Sequence, residues 1–169
     1  MCVRPHTEHL WQLPGRFPRS TAPIGRPRPS RPPTVFELLD APVVRTALDQ
    51  AWVNSRANDP NLAHEEGGWI YMDVATGLVC VRLVPSGRYG SVQLGYPPVV
   101  PGSVVVASFH THPNPDFPGP STVEGGDLDL QRDRGVPGII RAVNGIHVYG
   151  LEARRGEWRL SSRIPGLPP

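Results

Sequence analysis

His110 and His112 close an apolar, β-branched run, Val104-Val105-Val106-Ala107-Ser108-Phe109, which Pro101-Gly102 bounds upstream. Such a run reads as a largely buried strand that His110-Thr111-His112 continue. Alternate strand residues share a face, so the two imidazoles project together while Thr111 points away. This is a spacing that suits two zinc ligands. Zinc also needs a third protein ligand and, if catalytic, an open position for water. Asp127, just after Gly125-Gly126 at the start of an expected helix, is the candidate, with Glu124 and Asp129 as alternatives. A zinc so held lowers the pKa of water towards about 7, and a carboxylate must then take the proton and pass it to the leaving amine. Glu65 is the choice for that base, and its neighbour Glu66 the alternative.

The order of these residues adds to their types. His110-Thr111-His112-Pro113, seven further residues, Ser121 and then Asp127, with His64-Glu65-Glu66-Gly67-Gly68-Trp69-Ile70 upstream, resembles the signature of the JAB/MPN (JAMM) metallopeptidases. In that family an upstream Glu is followed by HxHP, a Ser and an Asp. The usual gap from Ser to Asp would land on Glu124, whereas Asp127 lies six positions beyond Ser121. The segment Val136-Pro137-Gly138-Ile139-Ile140, which follows the expected helix from Asp127 to Gly135, has the family's spacing and selects Asp127. The three extra residues read as an insertion.

The resemblance spans roughly Val43 to Leu160. It implies a single α/β (α+β) domain of MPN-like, cytidine-deaminase-like type, with a central mixed sheet flanked by helices. It also implies Zn2+ on His110, His112 and Asp127, with Glu65 hydrogen-bonded to the zinc-bound water and Ser121 donating to the oxyanion. The implied activity is that of the compact prokaryotic forms, hydrolysis of a peptide or isopeptide bond in a protein or peptide substrate, with ubiquitin-like proteins among the candidates. Two other classes are an MPN-type module that binds partners without catalysis, and a metal-dependent toxin-type hydrolase of another bond.

The elements that must position these residues can be read in order. Thr34-Val35-Phe36-Glu37 has the spacing of a capping box, and Val44, Ala47, Leu48, Ala51 and Trp52 recur at helical spacing. A turn followed by an amphipathic helix from Val43 to about Arg56 is therefore expected, with Trp52 in the core. Gly68 to Val74 and Leu78 to Val84 read as a hairpin around Ala75-Thr76-Gly77, and Ser91 to Leu94 as another short strand. Three prolines, Pro115, Pro118 and Pro120, restrict the loop after the histidines. Gly138 to Val143, a turn at Asn144-Gly145, Ile146 to Tyr149, a turn around Arg154-Arg155-Gly156 and Trp158 to Leu160 give a closing antiparallel meander.

Composition sets the outer limits. A chain of 169 residues holds one domain of ordinary size, and 22 prolines with 18 glycines indicate a loop-rich one. Residues 1–33 carry eight prolines and six arginines against one acid, and are expected to form a disordered, Arg/Pro-rich tail of net charge +5. The remaining domain, 34–169, has 11 arginines against 14 acids, a net of −3 that disfavours a nucleic-acid surface. Arg132, Arg134 and Arg141, expected near the site, could instead serve an acidic substrate. No apolar run approaches a membrane span, and no signal-peptide core is seen, so a cytoplasmic location is expected. Cys2 and Cys80 are expected as two free thiols.

Overall fold

The structure is a computed structural model that describes residues 31–150 and a two-residue strand at 162–163. The expected tail through residue 30, the turn around Arg154-Arg155-Gly156 and the strand at Trp158 to Leu160 lie outside the described residues. Helices α1 (Val35–Asp40) and α2 (Pro42–Asn54) come first. Strands β1 (Gly67–Asp73), β2 (Val79–Leu83) and β3 (Ser103–His112) follow, then helix α3 (Asp127–Arg134), and then β4 (Gly138–Ala142), β5 (Gly145–Tyr149) and β6 (Ser162–Arg163).

Both helix starts have local causes. The Thr34 side chain accepts from the Glu37 amide, and the Glu37 carboxylate accepts from the Thr34 amide, so the capping box is complete. Glu37 also binds Arg31 at 2.7 Å, and these hydrogen bonds hold its carboxyl down at about 2. Pro42 in the first turn of α2 has its φ preset and lacks only an amide that the helix would leave unpaired. Trp52 is half-buried, not enclosed in the core, and its ring lies under the Arg141 guanidinium at 5.0 Å.

The sheet runs β2-β1-β3-β4-β5-β6, with β3 and β4 parallel and every other pair antiparallel. It is mixed because α3 is the crossover between β3 and β4, while hairpins join β1 to β2 and β4 to β5. Helices pack on both faces. Leu38, Leu48 and Ala51 from α1 and α2 meet Ile70, Val81, Phe109, Ile139 and Ile146 on one face. Leu128 of α3 packs on Ile140, Ala142 and Tyr149 on the other. Adjacent residues Ile139 and Ile140 thus enter different cores, as the two-residue period of a strand requires. Each such large side chain contributes roughly 1.5–3 kcal/mol on burial.

Two further expectations need correction. Ser91 to Leu94 is not a strand: the segment makes a single bridge, Arg88 with Ser91, and then lies over the sheet, with Leu94 accepting from the Trp69 indole at 3.1 Å. Cys80 is half-buried on the edge strand β2 and is disulfide-bonded, not a free thiol; Cys2 lies outside the described residues. Among the described residues, no helix is long and apolar enough to cross a membrane.

Candidate metal centre

Strand β3 emerges from the middle of the sheet with its last seven residues buried, and it delivers both imidazoles to the α3 face. His110 pairs with Gly67 on β1 and, in parallel, with Ile140 on β4, so its backbone is held from both sides. Gly67 is required there: a Cβ would approach the Phe109 carbonyl to 2.9 Å and Leu94 to 2.7 Å. Thr111 points to the opposite face, where its hydroxyl accepts from the Glu66 amide at 2.9 Å.

Helix α3 supplies the carboxylate. Its first residue is Asp127, and Gly135 ends it in the left-handed conformation, φ 70°. Asp127 Oδ1 lies 3.1 Å from His110 Nε2, Asp127 Oδ2 lies 3.5 Å from His112 Nε2, and the two Nε2 atoms are 3.0 Å apart. Donors about 2.0–2.1 Å from one tetrahedral ion lie about 3.3 Å from each other, so the triangle of these three side chains, closed through both Asp127 oxygens, is close in scale to one face of a zinc site. The His112 Nδ1–H donates to the Phe117 carbonyl at 2.9 Å, which leaves the lone pair of the neutral ring on the Nε2 that faces the cluster. His110 Nδ1 is buried without a partner among the described residues.

Glu65 completes the cluster. Its carboxylate and the two imidazoles come within 4.8 Å of one another, and the three buried residues form a group that could hold a metal ion. Glu65 is 6% exposed, and its backbone is anchored at both ends, by the Arg88 carbonyl at 2.9 Å and the Gly87 amide at 2.8 Å. Its neighbour Glu66 turns elsewhere: its carboxylate binds His64 at 2.9 Å and the Ser86 hydroxyl at 2.6 Å.

The environments drive these groups apart. Burial pushes Glu65 up to about 7, the nearby His112 opposing it, Asp127 adding to the rise and a hydrogen bond from the Val92 backbone opposing it. Burial also acts to raise Asp127, but hydrogen bonds from His110 and His112 outweigh it and hold the carboxyl well below the ordinary range. Enclosure lowers His110, with Asp127 only partly compensating. For His112, burial is overcome by Asp127 and Glu65, and the imidazole is raised. Before any cation binds, the cluster is therefore a protonatable Glu65 beside an ionised Asp127 and an imidazole inclined to charge.

The remaining candidates fall into place around a cavity of about 800 Å³. Glu65, His110, His112 and Asp127 line it, with Ser121 on the loop wall. The Ser121 amide donates to Asp127 Oδ2 at 2.8 Å, a supporting contact that sequence reasoning did not foresee, since it comes from the backbone. The Ser121 hydroxyl makes no hydrogen bond among the described residues and lies against Gly126, where a Cβ would come within 2.6 Å of it. Glu124 is exposed, and Asp129 accepts from the Gly125 amide at 3.1 Å and pairs with Arg132 at 3.2 Å, so neither joins the triangle. Of the three arginines expected nearby, only Arg134 lines the cavity; Arg141 sits on the opposite sheet face, over Trp52. Comparison of the chain with models of known protein families, with curated proteins and with solved structures found no match.

Proposed function

We propose that the chain is a zinc-dependent hydrolase of the JAMM type, with an MPN-like fold, that cleaves a peptide or isopeptide bond in a protein or peptide substrate. The single observation behind this reading is the meeting of His110 Nε2, His112 Nε2 and the Asp127 carboxylate, whose two oxygens lie 3.1 and 3.5 Å from the imidazoles 3.0 Å apart, with Glu65 beside them in a cavity. Two imidazoles and one carboxylate are a donor set typical of catalytic zinc. When bound there, zinc would supply Lewis acidity, polarising a carbonyl and making water acidic near neutral pH.

The chain's own residues supply the rest. Glu65, buried beside the two imidazoles, is the carboxylate placed to take a proton from water and return it to a leaving amine. Glu66 is committed to His64 and Ser86 and is not available for this task. The Ser121 amide fixes Asp127, and its hydroxyl is the donor for the oxygen that gains charge as the carbonyl is attacked. Phe117, through its carbonyl, keeps His112 in the ligating tautomer. Ubiquitin-like proteins enter as candidate substrates through the family resemblance.

Metal content of the full chain, measured by mass spectrometry, tests this reading. About one zinc per chain is expected, lost in Asp127→Ala and retained in Glu65→Gln. A Glu65→Gln protein that kept its zinc would be expected to lose at least 100-fold in turnover of a cleavable substrate. A chain that takes up no zinc even when reconstituted would leave His110 and His112 as strand-end residues and end the metallopeptidase reading.

A further inference from the structure

Leu94 and Arg134 also line the cavity that holds the candidate metal cluster. Arg134 is the last residue of α3 and Asp127 the first. Seven residues at 1.5 Å rise place them about 10 Å apart along the axis. One helix thus carries the metal-side carboxylate at one end and a guanidinium at the other.

This guanidinium is fixed yet unspent. Its carbon lies 5.6 Å from the centroid of the Trp69 ring, a platform that is 1% exposed and tied through its indole N–H to the Leu94 carbonyl. Other arginines have acidic partners: Arg31 binds Glu37 at 2.7 Å, Arg45 binds Asp40 at 2.9 Å and Arg132 binds Asp129 at 3.2 Å. Among the described residues, no carboxylate lies within ion-pair distance of Arg134, although the domain has more acids than bases. The negative end of α3 does not need it, since Arg132 is in the same last turn. A half-buried arginine that lies over a tryptophan ring and lines a cavity is suited to planar recognition of a carboxylate.

We propose that Arg134 is a specificity residue that binds a carboxylate of the substrate about three extended residues from the scissile bond. This spacing takes the axial backbone separation of the two helix ends, about 10 Å, as the separation of the two subsites, at about 3.4 Å per extended residue. The inference rests on the metal-hydrolase reading and names the substrate class for that site, a chain bearing an acidic side chain or a free carboxyl terminus at that position.

Peptide hydroxamates, which anchor on a metal ion, provide the test. Zinc-loaded full chain would be titrated calorimetrically with hydroxamate peptides of both chain directions, carrying Glu or Gln at the third residue. A further pair would carry a free or an amidated carboxyl terminus there. At least tenfold tighter binding of a carboxylate probe than of its amide partner is expected, whichever pair shows it identifying side chain or terminus as the source. Arg134→Met keeps the apolar stem on Trp69 and should abolish that preference while leaving zinc content and amide-probe affinity unchanged. Equal affinities in the wild type, or a preference that survives Arg134→Met, would overturn the proposal while the metal site stood. If no hydroxamate bound at all, the metal-site reading would fall and this inference with it.

Discussion

Two adjacent glutamates, Glu65 and Glu66, are equally buried and have opposite fates. Glu66 accepts hydrogen bonds from Ser86 and His64, whereas Glu65 faces the imidazoles and is raised to about 7 chiefly by burial. The folded protein therefore holds a proton on Glu65 that the unfolded chain releases at its ordinary value of 4.5. The stability tied to that proton is full below pH 4.5 and is lost as pH rises through about 7. Glutamine cannot ionise, so chelator-treated Glu65→Gln should gain about 3 kcal/mol over the wild type between pH 4.5 and pH 8. Urea unfolding of both proteins across that range measures it. A difference that does not change with pH would remove the case for a desolvated, protonatable Glu65.

At the scale of elements, the site depends on how closely β1, β2 and β3 approach one another. A Cβ on Gly68 would run into the Arg82 backbone carbonyl and come within 2.8 Å of the Phe109 ring. The carbonyl belongs to the sheet and cannot turn aside as a side chain could. Gly68→Ala is expected to cost roughly 1–3 kcal/mol, the usual range for overpacking, and to weaken zinc uptake because β3 carries the histidines. Thermal unfolding with a parallel metal assay checks both effects. The α1 cap offers a contrast far from the site: Thr34→Ala should cost about 1 kcal/mol and leave metal content unchanged. Loss of zinc in Thr34→Ala would mean that α1 and the metal centre are mechanically coupled in a way their separate packing does not suggest.

For the whole molecule, the candidate metal cluster draws distant stretches of chain together. Glu65 precedes β1, the histidines end β3 and Asp127 begins α3, so an ion held by the histidines and Asp127 would crosslink the central sheet to its crossover helix. Anything that binds only the folded state stabilises it by mass action. Free zinc at 100 times its dissociation constant should add about 2.7 kcal/mol and raise the unfolding temperature, and a chelator should reverse the change. In Asp127→Ala the same zinc should produce little or no shift. An equal shift in both proteins would place the ion elsewhere.

Much of this was determined by local signals that need no tertiary context. The apolar run before His110, the alternation that puts His112 on the same face, the Thr34 to Glu37 box, Gly135 after α3 and the hairpin near Asn144-Gly145 each depend on residues close in sequence. The structure brings together Glu65, His110, His112 and Asp127 and leaves out Glu124 and Asp129; the spacing after the helix already singled out Asp127, but the distances among these groups come only from the fold. Ser91 to Leu94 looked like a strand because its alternation mimics one, but its partners come from Glu65 and Trp69 and not from a neighbouring ladder. Arg134 and Arg141 were indistinguishable as sequence; only the packing put one in the cavity and the other behind the sheet over Trp52. Periodicity and caps are properties of a few consecutive residues, whereas ligand distances, desolvation and pairing depend on which segments the folded sheet brings into contact.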